Sequence, residues 1–137
     1  MSPELARIIL AQICLHACMA GMRMATPLLA LKQGYSAMAV GALLALFALT
    51  QVFLALPAGR YADRHGLKKP FGICVAIAVA GASVAVALPH FLTLALAALM
   101  MGGATSAAVI ALQRHVGRSA HGAVELKQAF SWLSIGP

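Results

Sequence analysis

Hydrophobic positions in this chain run in four long, nearly uninterrupted blocks, roughly Leu5–Leu31, Ala37–Leu56, Pro70–Leu88 and Phe91–Ala111. A helix needs about 20 mostly apolar residues to cross the hydrocarbon core of a bilayer. The blocks therefore predict four membrane-spanning helices. A fifth apolar segment starts near Glu125 and reaches Pro137 after about 13 residues, too few to cross. The breaks between blocks alternate in character. Gln33–Ser36 and Pro89–His90 are short and nearly uncharged, whereas Gly59–Lys69 and Gln113–Val124 are longer, polar and read as solvated loops. Pro57 is expected to end the second span. Pro70 is expected to open the third, where its missing amide costs nothing because first-turn donors have no helical partner. The pattern predicts an all-α, polytopic transmembrane bundle: two antiparallel hairpins followed by a truncated fifth helix, with no separate soluble domain.

Composition agrees with that pattern. The chain is 62% hydrophobic and 9% charged, where a soluble domain carries about 25% charged residues. A water-soluble protein so poor in charge has too little polar surface to cover itself. The first block is not a cleavable signal, because its apolar run is too long, Arg23 lies far inside it and no small-x-small site precedes a polar start.

The net charge of +7 is explained by sidedness rather than by nucleic acid. With the amino terminus inside, Arg7, Arg60, Arg64, Lys68, Lys69, Arg114, Arg118 and Lys127 all fall on the cytoplasmic side, eight of the ten basic residues. Lys32 faces the other side and Arg23 lies within the membrane. Such asymmetry is what the positive-inside rule describes. The expected location is a bacterial inner (plasma) membrane with the amino terminus cytoplasmic. Cys14, Cys18 and Cys74 all fall within predicted spans and act there as small apolar residues rather than as a disulfide framework.

Small residues recur at helical spacing: Gly41 with Ala45, Gly81 with Ala85, and the run Gly102, Gly103, Ala104, Ser106, Ala107, Ala108. Lipid is as apolar as leucine, so membrane helices associate through close packing, which small residues permit. These positions are expected to be helix-packing surfaces.

The densest charge lies in Gly59-Arg60-Tyr61-Ala62-Asp63-Arg64-His65-Gly66-Leu67-Lys68-Lys69. Asp63 is its only acid and should stay ionised among Arg60, Arg64, Lys68 and Lys69. Gly59 is expected to end the second helix and admit a neighbouring backbone, and Gly66 to supply the turn into the third. The spacing Gly-x-x-x-Asp-Arg-x-Gly-x-Lys-Lys resembles the signature loop between the second and third helices of major facilitator superfamily transporters, and the four spans and loop polarity extend the resemblance over essentially the whole chain. The resemblance implies that Gly59, Asp63, Arg64, Gly66 and Lys68 form a latch holding the amino-terminal half against a carboxy-terminal half in one state of the transport cycle. Tyr61 stands where the superfamily has an aliphatic residue, and Leu67 stands where its first basic residue after the second glycine falls. The fourth helix has Ala98, four residues before Gly102, where proton-coupled members often carry arginine. Gly136-Pro137 looks like the pair of the drug-antiporter signature but falls too early to be carried over.

The first span has a polar stripe. Arg23 deep in a helix costs at least about 2.5–3.5 kcal/mol to insert, so it is expected to face a cavity or a partner. Gln12, His16 and Thr26 lie near the same face at helical spacing. In the superfamily that this chain resembles, the first helix lines the central cavity. Gln12, His16, Arg23 and Thr26 are accordingly the substrate-cavity candidates, with Arg23 meeting an anionic group of the solute. Snorkelling of Arg23 to the interface is the competing reading. His16 suits a proton shuttle or a neutral hydrogen bond to a neighbouring helix. The soft ligands Cys14, Cys18 and Met22 share one ridge, but His16 points away and Arg23 repels a cation, which argues against a metal site.

With three acids in all, no paired carboxylates and no nucleophile beside a base, an enzyme is not expected, and neither is a cofactor. The expected function is transport of a small solute by alternating access, this chain being an incomplete amino-terminal part that needs its missing half or a partner membrane subunit. The alternative is a non-transporting, truncated membrane protein or a helical module that associates with another membrane subunit.

Overall fold

The computed structural model describes residues 3–119 and 122–134. Among them lie five helices and no strand: α1 (Pro3–Lys32), α2 (Ala37–His65), α3 (Lys68–Ala87), α4 (Phe91–Ser119) and α5 (Ala123–Leu133). The first four are long and apolar enough to cross a membrane.

Two segments expected to be loops are helical instead. α2 runs through Pro57 and Gly59 to His65, so the connection to α3 is only Gly66 and Leu67. A proline inside a helix removes one backbone hydrogen bond. The loss is tolerated where neighbouring helices hold the segment, and Gly59 and Ala62 are buried beyond Pro57. Charge is likewise no barrier to helix formation, since all of a helix's backbone bonds are internal. Gly66 is what stops α2: its φ of 71° lies in the left-handed region open to glycine, and its N–H caps the Ala62 carbonyl. The second correction is at α4, which continues from Ala111 through Arg114 and Arg118 to Ser119, inside the span read as loop Gln113–Val124. α3 starts at Lys68, which puts Pro70 in its first turn. The fifth segment's residues 135–137 lie outside the described residues.

At the opposite end the connections are short, and they are tied together. Ser36 caps α2, its Oγ accepting from Ala39 N–H at 3.3 Å. Gln33 Nε2 donates to the Pro89 carbonyl at 2.5 Å, and the rings of Tyr35 and Phe91 lie 5.1 Å apart. The α1–α2 and α3–α4 hairpins are thereby joined at this end.

α4 is the centre of the bundle. Its most apolar stretch is 56% buried, against 11% for that of α2, because α2 and α3 both pack along it. Its glycines explain how. A Cβ on Gly102 would overlap the Phe47 carbonyl and lie 2.8 Å from Thr50 Oγ1, and one on Gly103 would lie 2.7 Å from Leu54 Cδ1. The α2 backbone fits there only because α4 has no side chain at these positions. Gly81 meets Met100 in the same way from α3. Gly41 does not follow the pattern: it has nothing within 4 Å, and both it and Ala45 are exposed. Their face of α2 is not a packing surface within this chain, because α2 turns Leu43 and Phe47 inward instead.

Candidate functional site

Two polar sites hang on the α4 scaffold. The first lies at the end of the bundle that carries Gly66. Asp63, on the last turn of α2, accepts from Arg114 on one carboxylate oxygen and from Arg118 on the other. Arg118 also reaches the Asp63 backbone carbonyl at 3.5 Å. Arg114 and Arg118 are one helical turn apart and present a two-pronged grip on a single acid. Gly59 makes room for it: a Cβ there would lie 2.9–3.1 Å from the Arg114 guanidinium. The glycine thus admits a side chain, not the neighbouring backbone that was expected.

The partners of Asp63 also differ from expectation. Arg60 and Arg64 are not its bonded partners, because α2 remains helical and carries them round to another face. They line a surface groove with Leu56, Pro57, Tyr61 and His65, where the Tyr61 ring stacks on His65 at 4.2 Å. Of the five latch candidates, the structure brings Gly59 and Asp63 to the α4 arginines, gives Gly66 the turn, and leaves Arg64 and Lys68 exposed beside the cluster. Arg114 and Arg118 were missed as partners, being 51 and 55 residues from Asp63 in sequence. Their four-residue spacing opposite the only acid of the central part of the chain was the available signal.

The second site is a recess of about 360 Å³ between α1, α2 and α4, lined by His16, Met19, Arg23, Gln51, Thr105, Ser106, Val109 and Ile110. α1 contributes His16, Met19 and Arg23 to it, and the predicted stripe divides here. His16 and Arg23 face the recess, whereas Gln12 and Thr26 turn into the bundle and are 6% and 2% exposed. The four residues span an arc of the helix wide enough to straddle the boundary between core and recess. Gln51 bridges to α1 through a contact of 3.9 Å from Nε2 to Met19 Sδ. Thr105 donates back to the Met101 carbonyl at 2.7 Å, an interaction internal to α4.

Arg23 has no ion pair or hydrogen bond among the described residues, and no acid lines the recess. Gln12 Nε2 lies 2.8 Å from His16 Nδ1, while Gln12 Oε1 is buried without a partner among the described residues. A buried polar atom left unpaired costs about 1–3 kcal/mol. Cys14 and Cys18 lie on another side of α1, in an apolar groove shared with α3. Among the described residues, no three His, Cys, Asp or Glu side chains come together in a way that could hold a metal ion.

Four apolar spanning helices around a slender fourth helix, with a polar recess inside and an ionic clamp at one end, define a polytopic integral membrane protein. Over residues 8–136 the sequence matches the Major Facilitator Superfamily. The chain belongs to that superfamily, whose members are secondary transporters of small solutes rather than enzymes. Neither a curated protein nor a solved structure matches the chain.

Proposed function

We infer that this chain is the amino-terminal part of a secondary transporter that moves a small anionic solute by alternating access, with the recess between α1, α2 and α4 as part of the solute-facing wall. Arg23 carries this reading. An arginine within a spanning helix is retained against a substantial insertion cost, and here it lies beside His16, Gln51, Thr105 and Ser106 with no acid to neutralise it. Unsatisfied positive charge in a polar recess suits a carboxylate, phosphate or sulfonate. Gln12 and Thr26 support the wall from behind rather than touch the solute.

In the same reading the Asp63 end is cytoplasmic, in a bacterial inner membrane, as the basic residues gathered there favour. Gly59, Asp63, Gly66, Arg114 and Arg118 shape the end of α2, and the exposed Arg64 beside it supports engagement of a second set of helices at this end. The exposed Gly41–Ala45 face of α2 supports the presence of further helices packed against this chain. It equally favours a second reading, a helical module whose role is to bind another membrane subunit.

The test is thermal stabilisation of the purified chain by a panel of small carboxylates, phosphates, sulfonates and neutral sugars, followed by flux in proteoliposomes. Stabilisation by an anion that Arg23→Ala abolishes is the expected result. Stabilisation by neutral solutes alone, or by anions regardless of Arg23, overturns the anionic assignment. Anion binding without flux, in the chain assembled with its remaining helices, favours the subunit-binding module.

A further inference from the structure

Two grooves meet along α2 at its charged end. The larger, about 530 Å³, is a trough between α2 and α3 with α4 as its floor. Leu54 from α2 and Ile73 and Ile77 from α3 form its walls, and Gly103, Ala104 and Ala107 form the floor. No charged side chain lines it. The smaller groove carries Arg60, Arg64 and His65 on the outer turns of α2. Pro57 and Tyr61 line both. The Tyr61 ring, stacked on His65 with centroids 4.2 Å apart, stands where the basic groove passes into the apolar one.

The depth of the trough is informative. Tyr61 to Leu54 on α2 and Pro70 to Ile77 on α3 each cover seven residues, so the trough runs inward from the charged end by about 10 Å. Half of a hydrocarbon core about 30 Å thick is about 15 Å. The trough therefore stays within one leaflet. Its mouth lies at the headgroup level, where tyrosine is favoured.

Charge narrows the occupant. Asp63 has an arginine from α4 on each carboxylate oxygen. Arg60 and Arg64 have no ion pair or hydrogen bond among the described residues. Two guanidinium groups one helical turn apart and facing no acid suit a phosphodiester. A free phosphate would leave the trough empty, and a wholly apolar molecule would leave the arginines unmatched. An amphiphile with an anionic head satisfies both grooves.

We propose that this double groove binds one anionic phospholipid, its phosphate held by Arg60 and Arg64 and one acyl chain lying in the trough between α2 and α3. The site is separate from the Arg23 recess and independent of any solute there. It requires only that the Arg60 end lie at a membrane surface. A second groove supplies a control within the same molecule. It lies between α1 and α3, measures about 390 Å³, and is lined by Cys14, Cys18, Val75 and Val79 among others, with no charged side chain. Lipid should enter it without regard to headgroup.

The test is fluorescence quenching in nanodiscs of phosphatidylcholine with a minority of phosphatidylglycerol, one lipid or the other brominated on its acyl chains. Trp132→Phe removes the native tryptophan, and Ile77→Trp or Val75→Trp reports on the trough or the control groove. Both positions are 37% exposed, so both variants are expected to fold. Tryptophan at position 77 should be quenched preferentially by brominated phosphatidylglycerol, and tryptophan at position 75 by each lipid in proportion to its abundance. Arg60→Gln should lower the preference at position 77 about fivefold, the worth of one basic residue near an anionic surface, and adding Arg64→Gln should lower it about as much again. Native mass spectrometry of the chain without introduced tryptophan is the second measurement. It should show phosphatidylglycerol retained over phosphatidylcholine, and less so in Arg60→Gln.

Equal preference at positions 77 and 75 would mean diffuse attraction of anionic lipid to the basic end, and overturns the site. A preference that survives the double arginine variant overturns it as well. No quenching at position 77 by either lipid would place protein in the trough, a further helix or a second copy of the chain, and overturns the lipid assignment.

Discussion

The Asp63 cluster and the His16–Arg23 recess are both built against α4, yet they handle charge in opposite ways. At Asp63, one acid takes an arginine on each carboxylate oxygen. In the recess, an arginine has no acid among the described residues, and behind the recess the buried Gln12 amide oxygen has no donor among them. The first site is complete by itself, and its groups are partly exposed, so water and salt screen it and limit its contribution to stability. The second lies within the span, where an unmatched charge is costly and water is scarce. A polar site that satisfies itself holds a shape. One left incomplete is what the proposed solute site requires.

The largest effect is expected from Gly102→Ala, which breaks both sites together. The new Cβ meets α2 backbone, which cannot move aside as a side-chain end can, so the cost falls at or above the upper end of the roughly 1–3 kcal/mol typical of overpacking. Thermal unfolding in detergent should show it, and an unfolding temperature equal to wild type would refute the account of how α2 seats on α4.

Arg23→Gln sharpens the contrast, with an expected tenfold or greater loss of anion affinity, about 1.4 kcal/mol, and no loss of thermal stability. A destabilised Arg23→Gln protein would mean that the recess arginine is structural after all.

Asp63→Asn should behave in the opposite sense. It loses its charge-assisted bonds and leaves Arg114 beside Arg118, for a fall in stability of about 1 kcal/mol. The deficit should shrink in high salt, and anion affinity should not change. A mutant that binds anions tenfold more weakly would join the two sites into one.

Gly59→Ala should cost least, under about 1 kcal/mol. Its Cβ crowds the end of a flexible Arg114 side chain, and the double variant with Asp63→Asn should show that cost reduced if the clamp is what holds Arg114 there.

Much of this fold was legible in the sequence because spanning segments are defined by length and apolarity, which need no partner to be read. The helix ends were harder to read. The cluster from Arg60 to Lys69 marks where the chain leaves the membrane, and water exposure is compatible with continued helix, so charge located the boundary of the bilayer rather than of α2. Pro57 was misleading for a similar reason, since a lost hydrogen bond weakens a helix without obliging it to stop. Arg23 and His16 could be picked out because charge and imidazole are rare in a span. Gln12 and Thr26 share their stripe, but only the packing of the other helices against α1 decides that they are buried. Arg114 and Arg118 belong to Asp63 through the crossing of α2 and α4, a tertiary fact that no local pattern contains.

The ties at the two ends of the bundle have a mechanical consequence. Gln33 on Pro89 and Tyr35 against Phe91 join the hairpins at one end, and Asp63 pins α2 to α4 at the other. A beam fastened at both ends resists shear, so its helices cannot easily slide past one another and the block is stiff along its length. A helix of 29 residues, the length of α2 and of α4, is about 44 Å long, so tilting such a block by about 10° displaces one end by roughly 8 Å relative to the other. That is about the width of a small solute. In the proposed transport reading, such a block would act as a lever arm, converting a modest rotation at its bearing surface into a displacement of that size at its far end.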